Sequence, residues 1–115
     1  MLAAFESRPQ VFLQWHVIRY DQEDSHHFLI VSAVLRDGSR LEIRDISFGD
    51  GTRKYAYQWM ESDGSLRRRW DQARHWPDLA TFPHHVHVPD HPKPLPSTVT
   101  NLEDLMVFLD DWFAK

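Results

Sequence analysis

Three Asp-Gly pairs recur at intervals of 13 residues: Asp37-Gly38, Asp50-Gly51 and Asp63-Gly64. Asp-Gly between apolar runs is a strong local hairpin signal, because both residues tolerate the positive φ of a type I′ turn. Even spacing sets strands of equal length, so the middle of the chain is restricted to an antiparallel meander. The runs between the turns are β-rich: Phe28-Leu29-Ile30-Val31, Arg40-Leu41-Glu42-Ile43 and Tyr55-Ala56-Tyr57-Gln58-Trp59. They predict strands near residues 11–20, 27–36, 40–48, 53–62 and 65–71, with the polar stretch Asp21–Ser25 joining the first two.

Side-chain alternation then assigns faces. In the second strand Leu29, Val31, Ala33 and Leu35 point one way and Phe28, Ile30 and Val34 the other. Two apolar faces predict a central strand covered on both sides. In the third, Leu41 and Ile43 fall opposite Ile46 and Phe48, and a β-bulge near Arg44-Asp45 would bring them to a common face. Near the end of the chain the period changes. Leu102, Leu105, Met106, Leu109, Trp112 and Phe113 share a helical face, while Glu103, Asp104, Asp110 and Asp111 lie mostly off it. Thr100 with Glu103 reads as a capping box, so a helix is expected over 101–113. The fold class is α+β: an antiparallel β-meander of about five to six strands with this helix packed on the sheet. Residues 1–115 are expected to form a single domain, since a chain of this length can bury a sizeable core.

Between the meander and the helix, residues 75–97 carry six of the seven prolines and five of the eight histidines, His75, His84, His85, His87 and His91. Proline donates no ladder hydrogen bond, so this segment is expected as a long ordered loop or an edge ribbon, and such loops are often functional.

Several chemistries are excluded by composition. The chain has no cysteine, which removes disulfides, thiolate metal sites and cysteine nucleophiles. There is no apolar run of membrane-spanning length and no signal-peptide pattern, so a cytoplasmic location with no membrane contact is expected. The net charge of −4 argues against nucleic-acid binding by bulk charge. The charge is uneven, however: residues 40–74 carry eight Arg and Lys against six acids, and residues 101–115 carry four acids against one Lys. The Gly-rich phosphate loop, the H-E-x-x-H helix and the G-x-S-x-G elbow are all missing.

Two places remain for chemistry. A two-residue loop at Asp63-Gly64 would pair Trp59 with Arg68 and Tyr57 with Trp70. Tyr55, Tyr57, Trp59, Arg68 and Trp70 then share one face, and Lys54, Gln58, Arg67, Arg69 and Asp71 the other. The aromatic face is either a base-stacking platform or a core; the basic face either holds phosphate or is simply solvated. The second place is His84-His85-Val86-His87. In a strand His85 and His87 share a face, the geometry of a two-histidine metal pair that His75, His91, Asp78 or Asp90 would complete. Alternatively the histidines are the base and acid of metal-free RNA cleavage, work suited to an ordinary pKa of about 6.5. They also fit loop positions that bond to backbone or face water.

The strings Tyr55-Ala56-Tyr57-Gln58-Trp59, Asp63-Gly64, Arg69-Trp70-Asp71-Gln72-Ala73, Pro77 and above all Thr81-Phe82-Pro83-His84-His85-Val86-His87 resemble the TumE-type toxin family. Gln72 stands where that family usually has Asn, and His75-Trp76-Pro77 where it often has His-His-Pro. The resemblance implies a toxin encoded beside a helix-turn-helix antitoxin, and it carries no catalytic residue with it. Two functional readings follow. In the first, the chain is a toxin acting on RNA as a metal-independent ribonuclease with no cofactor. His75, His84, His85 and His87 are then its acid–base candidates, Arg67, Arg69 and Arg74 hold the charged phosphate, and Tyr55, Tyr57 and Lys54 bind substrate. In the second, the chain is a non-enzymatic interaction module whose His/Pro-rich loop is a recognition surface or a brace. A homodimer paired through an exposed edge strand is compatible with either. The ribonuclease reading requires residues 84–88 to return antiparallel along the fifth strand, bringing a histidine pair beside Arg69.

Overall fold

A computed structural model describes residues 2–115. A short helix, α1 (Ala3–Glu6), precedes strands β1 (Phe12–Glu23), β2 (His26–Leu35), β3 (Arg40–Ser47), β4 (Arg53–Met60), β5 (Leu66–Asp71), β6 (His85–His87) and β7 (Leu95–Pro96). Helix α2 (Leu102–Phe113) closes the chain. The strands form one sheet in sequence order, each pair antiparallel. The expected α+β meander is therefore present, with β6 and β7 added from the segment read as loop or ribbon. No helix among the described residues is long and apolar enough to cross a membrane.

Helix α2 covers one face of the sheet. Its Leu105, Met106 and Leu109 join Leu29, Val31, Leu35, Leu41, Ile43, Tyr57, Trp59 and Trp70 in one buried cluster. Phe108 and Trp112 meet Trp59 edge-on, at 6.2 and 5.1 Å between ring centroids. Phe5 of α1 stacks on Trp15, and Arg8 reaches Asp110 of α2 at 3.0 Å, so the N-terminal segment closes that end of the core. The other sheet face is open. Phe28, Ile30 and Val34 on it are only half-buried, so β2 is covered on one side and not on both.

The turns differ from expectation. At all three Asp-Gly pairs only the glycine has positive φ, and the loops contain three residues: Leu35, Phe48 and Glu61 bond to Ser39, Thr52 and Ser65. Each aspartate accepts the backbone N–H and the hydroxyl of the Ser or Thr two residues on. That side-chain brace favours a turn with one left-handed glycine over the type I′ turn. The first hairpin is also tighter than expected: β1 continues through Glu23, leaving Asp24 and Ser25 as the turn.

No bulge occurs at Arg44-Asp45; β3 pairs without interruption on both sides. Asp45 instead continues the buried face, where Arg53 and Tyr57 bond to its carboxylate and His27 lies 3.3 Å away. The bulges lie between Phe12 and Gln14, between Val17 and Arg19, and opposite Trp59–Met60. The α2 cap is one residue later than the expected box. Asn101, not Thr100, is the N-cap and accepts from the Asp104 N–H at 2.8 Å. Asp104, rather than Glu103, reaches back to Thr100.

Candidate active site

Strand β6 returns antiparallel beside β5, pairing Arg69 with His87, Trp70 with Val86 and Asp71 with His85. Alternation sends Trp70 and Val86 into the core and the other four residues to the open face. The Pro-rich segment holds β6 in place. Thr81 Oγ1 donates to the His84 carbonyl at 2.6 Å and accepts the Ser97 N–H at 2.9 Å, joining both ends of the segment.

Asp71 is the hub of the four. Its side chain is only 9% exposed. Oδ1 accepts the Ala73 N–H at 3.0 Å and lies 2.8 Å from His85 Nε2; Oδ2 accepts from Arg69 Nε at 3.0 Å. His85 is 1% exposed, and its Nδ1 lies 3.0 Å from the Pro83 carbonyl. A carbonyl only accepts, so Nδ1 carries the hydrogen, and Nε2 is the ring atom that faces the Asp71 carboxylate, 2.8 Å from Oδ1. His85 is thus a fixed partner of Asp71 without direct access to solvent.

His87 is the accessible imidazole. Its side chain is 33% exposed and its Nε2 sits 3.7 Å from Asp71 Oδ2, too far for a hydrogen bond. Burial pushes its pKa below the usual histidine value; the Asp71 charge opposes this, and His85 and Arg69 reinforce it. Opposite it, Arg69 also donates from Nη1 to Gln58 Oε1 at 2.7 Å. The two anchors fix the guanidinium plane and leave Nη2 without a partner among the described residues.

Arg69 and Asp71 line an open cavity of about 550 Å³, together with Lys54, Gln72, Arg74 and Pro83. The Lys54 side chain makes no ion pair or hydrogen bond among the described residues, and Arg74 lies over the Phe82 ring with its guanidinium carbon 4.8 Å from the centroid. Arg69 also lines a second cavity with Arg44, Ile18 and Ile30, so it stands where the two meet on the open face.

The other candidates lie elsewhere. Arg67 is the extra residue of the bulge opposite Trp59–Met60, which turns it to the helix side. There it stacks over Trp59 at 4.4 Å and pairs with Glu61 and Asp37. It does not converge with Arg69. His75 is exposed and lines a separate cavity with Trp76, Asp78 and Lys93. His84 stacks on Tyr55, with Nδ1 2.7 Å from the Tyr55 hydroxyl, and burial, Arg53 and His85 lower its pKa. Tyr55 and Tyr57 are both buried, stacked on each other beneath the helix side, so neither presents a free ring face to a base. Asp71 is the acidic partner of the histidine pair, in place of Asp78 or Asp90. Only the strand register reveals that role, although its i, i+2 spacing from Arg69 was visible.

The family model of toxin TumE matches residues 2–113. The chain belongs to the TumE toxin family. Membership makes it the toxin of a toxin–antitoxin system and implies an antitoxin partner. No curated protein and no solved structure matches it. In this TumE toxin the family string Thr81–His87 is the segment that brings His85 and His87 to Asp71. Gln72, which replaces the usual Asn, accepts the Tyr55 N–H at 2.9 Å and extends the β4–β5 ladder by a side chain.

Proposed function

We propose that this toxin cleaves RNA without a metal ion, by attack of a ribose 2′-hydroxyl on the adjacent phosphate. The observation that carries the reading is the pairing of Arg69 with His87 across β5 and β6, above the Asp71–His85 pair. His87 Nε2 takes the 2′-hydroxyl proton as the new O–P bond forms. Arg69, with Lys54 and Arg74 around the cavity, holds the phosphate and balances the charge of the phosphorane. The P–O5′ bond breaks, and the departing oxygen takes a proton from water in the open cavity. The products are a 2′,3′-cyclic phosphate and a 5′-hydroxyl. His85 is a positioning residue that fixes Asp71, which in turn fixes Arg69. The resemblance supports a helix-turn-helix antitoxin as partner.

The test is cleavage of end-labelled RNA by the purified chain in chelator, with the new ends identified. Cyclic phosphate ends are expected. His87→Ala and Arg69→Ala should each reduce cleavage about 10²–10⁴-fold with the far-UV spectrum unchanged. The double variant should be no worse than the more damaging single one, because the two residues act on one phosphate. RNA that binds but stays intact would reject the mechanism and favour the non-enzymatic module.

A further inference from the structure

Asp71, His85 and His87 present one ligand atom each, a carboxylate oxygen and two imidazole nitrogens, all within 4.8 Å of one another. Two histidines and a carboxylate are the donor set of an open zinc-type site, three protein ligands with a position left for water. We propose that these three side chains bind one divalent transition-metal ion of the zinc type, and that the ion inhibits the toxin.

Three observations carry this. First, His85 donates Nδ1–H to the Pro83 carbonyl, which aims the Nε2 lone pair at Asp71. Metal-binding histidines are commonly oriented in this way, by a backbone carbonyl behind the ring. Second, with the hydrogen on Nδ1, the Nε2 lone pair and the Oδ1 carboxylate oxygen face each other 2.8 Å apart. Donors on a tetrahedral zinc ion stand about 3.3 Å apart, given metal–ligand bonds of about 2.0–2.1 Å. A zinc ion between them therefore opens this contact by roughly half an ångström. Arg69 and Ala73 keep their bonds to Asp71, on Oδ2 and on the remaining lone pair of Oδ1. Third, His87 is half-buried, meets the His85 ring edge-on at 4.9 Å and makes no ring hydrogen bond among the described residues, so it can turn to complete the set. Imidazole ligands favour zinc, nickel or copper over magnesium.

Inhibition rests on the ribonuclease reading, because a metal on His87 Nε2 occupies the lone pair that would take the 2′-hydroxyl proton. Binding itself does not rest on it, and the two are measured separately. Chelator-treated, full-length protein is titrated with zinc sulfate at pH 7.5, with a magnesium competition arm. One zinc ion per chain is expected, with no competition from millimolar magnesium. His87→Ala should weaken binding by more than about 100-fold, beyond the loss that follows removal of an outer-sphere partner. It should leave the fold intact because the ring makes no hydrogen bond among the described residues. His91→Ala, on an exposed histidine, should bind as the parent does. Zinc binding that survives His87→Ala, or no binding at micromolar zinc, overturns the site. In the parallel cleavage assay, activity should fall in proportion to zinc occupancy. Zinc that raises cleavage overturns the inhibitory role. Zinc that binds a chain inactive on RNA even in chelator leaves the site standing and rejects the ribonuclease reading.

Discussion

Replacing Asp71 by Asn tests the hub directly. The substitution conserves volume but removes the charge that faces Arg69 and His85. Asparagine can still accept from the Ala73 N–H, yet its amide nitrogen must then point at Arg69, donor against donor. The 2.8 Å contact with His85 is buried, and a polar contact of this kind to a charged group is worth about 1.5–3 kcal/mol. The Arg69 bond contributes less, about 1 kcal/mol at most, because that guanidinium is 39% exposed and screened by water. The expected loss is therefore about 2–4 kcal/mol. With a urea m-value of about 2 kcal/mol/M, typical of a small domain, the midpoint should fall by roughly 1–2 M. Tryptophan fluorescence will report it, since Trp59 and Trp70 stack in the core with centroids 6.4 Å apart. The control is Glu42→Gln, on the same open face and bonded to Ser32 at 2.9 Å but half-exposed, where a change within about 0.5 kcal/mol is expected. Equal midpoints for Asp71→Asn and the parent would refute the view that Asp71 organises this edge of the sheet.

Leu105→Ala and Leu109→Ala should each cost about 2–5 kcal/mol, because both side chains are fully buried against the sheet, whereas exposed Val107→Ala should leave the melting temperature nearly unchanged. Burial pushes the Asp45 carboxyl up, but hydrogen bonds from Arg53 and Tyr57 outweigh it and hold the folded-state pKa below the ordinary range. Its contribution to stability is therefore complete above the unfolded value of about 3.9 and is lost as pH falls through the lower folded value. Asp45→Asn should lose less stability than the parent between pH 5 and the acid limit, measured as urea midpoints at about pH 5, 4, 3 and 2; parallel curves would remove Asp45 from the account. Chelator treatment should leave the parent's melting temperature unchanged, because the core closes around Trp59, Trp70 and α2 without metal; a large loss restored by zinc would make Asp71, His85 and His87 a structural centre.

Much of the meander was legible because it rests on local signals. The Asp-Gly pairs locate three turns, and the period change after Pro96 locates α2. The pairing of Trp59 with Arg68 and of Tyr57 with Trp70 also agrees with a reading that assumed the wrong loop. The three-residue loop shifts β5 by one position against β4, and the bulge at Arg67 shifts it back. Two local deviations cancel, so the far pairs agree while Arg67 lies on the unexpected face. Asp45 was illegible for a different reason. Ile46 and Phe48 fall opposite Leu41 and Ile43, which reads as a bulge near Asp45, whereas the strand is regular and the partners that make a buried acid tolerable come from β2 and β4. The union of Asp71 with His85 was hidden because 13 residues separate Asp71 from His85, and only the return of β6 joins them.

The bulge at Arg67 gives β5 one residue of slack between the turn and Asp71. Shortening the chain by one residue between Leu66 and Arg68 would straighten the ladder and leave Trp70 beneath α2 and Asp71 on the open face. Such a change sacrifices the stacking of Arg67 on Trp59 and its bonds to Asp37 and Glu61. Removing Trp70 instead would move Asp71 into the slot under the helix, since a shift of one residue exchanges the two faces of a strand. The hairpin can therefore vary in length on its turn side while the segment from Arg69 to Asp71 cannot, and the site depends on a count of residues as strictly as on their identity.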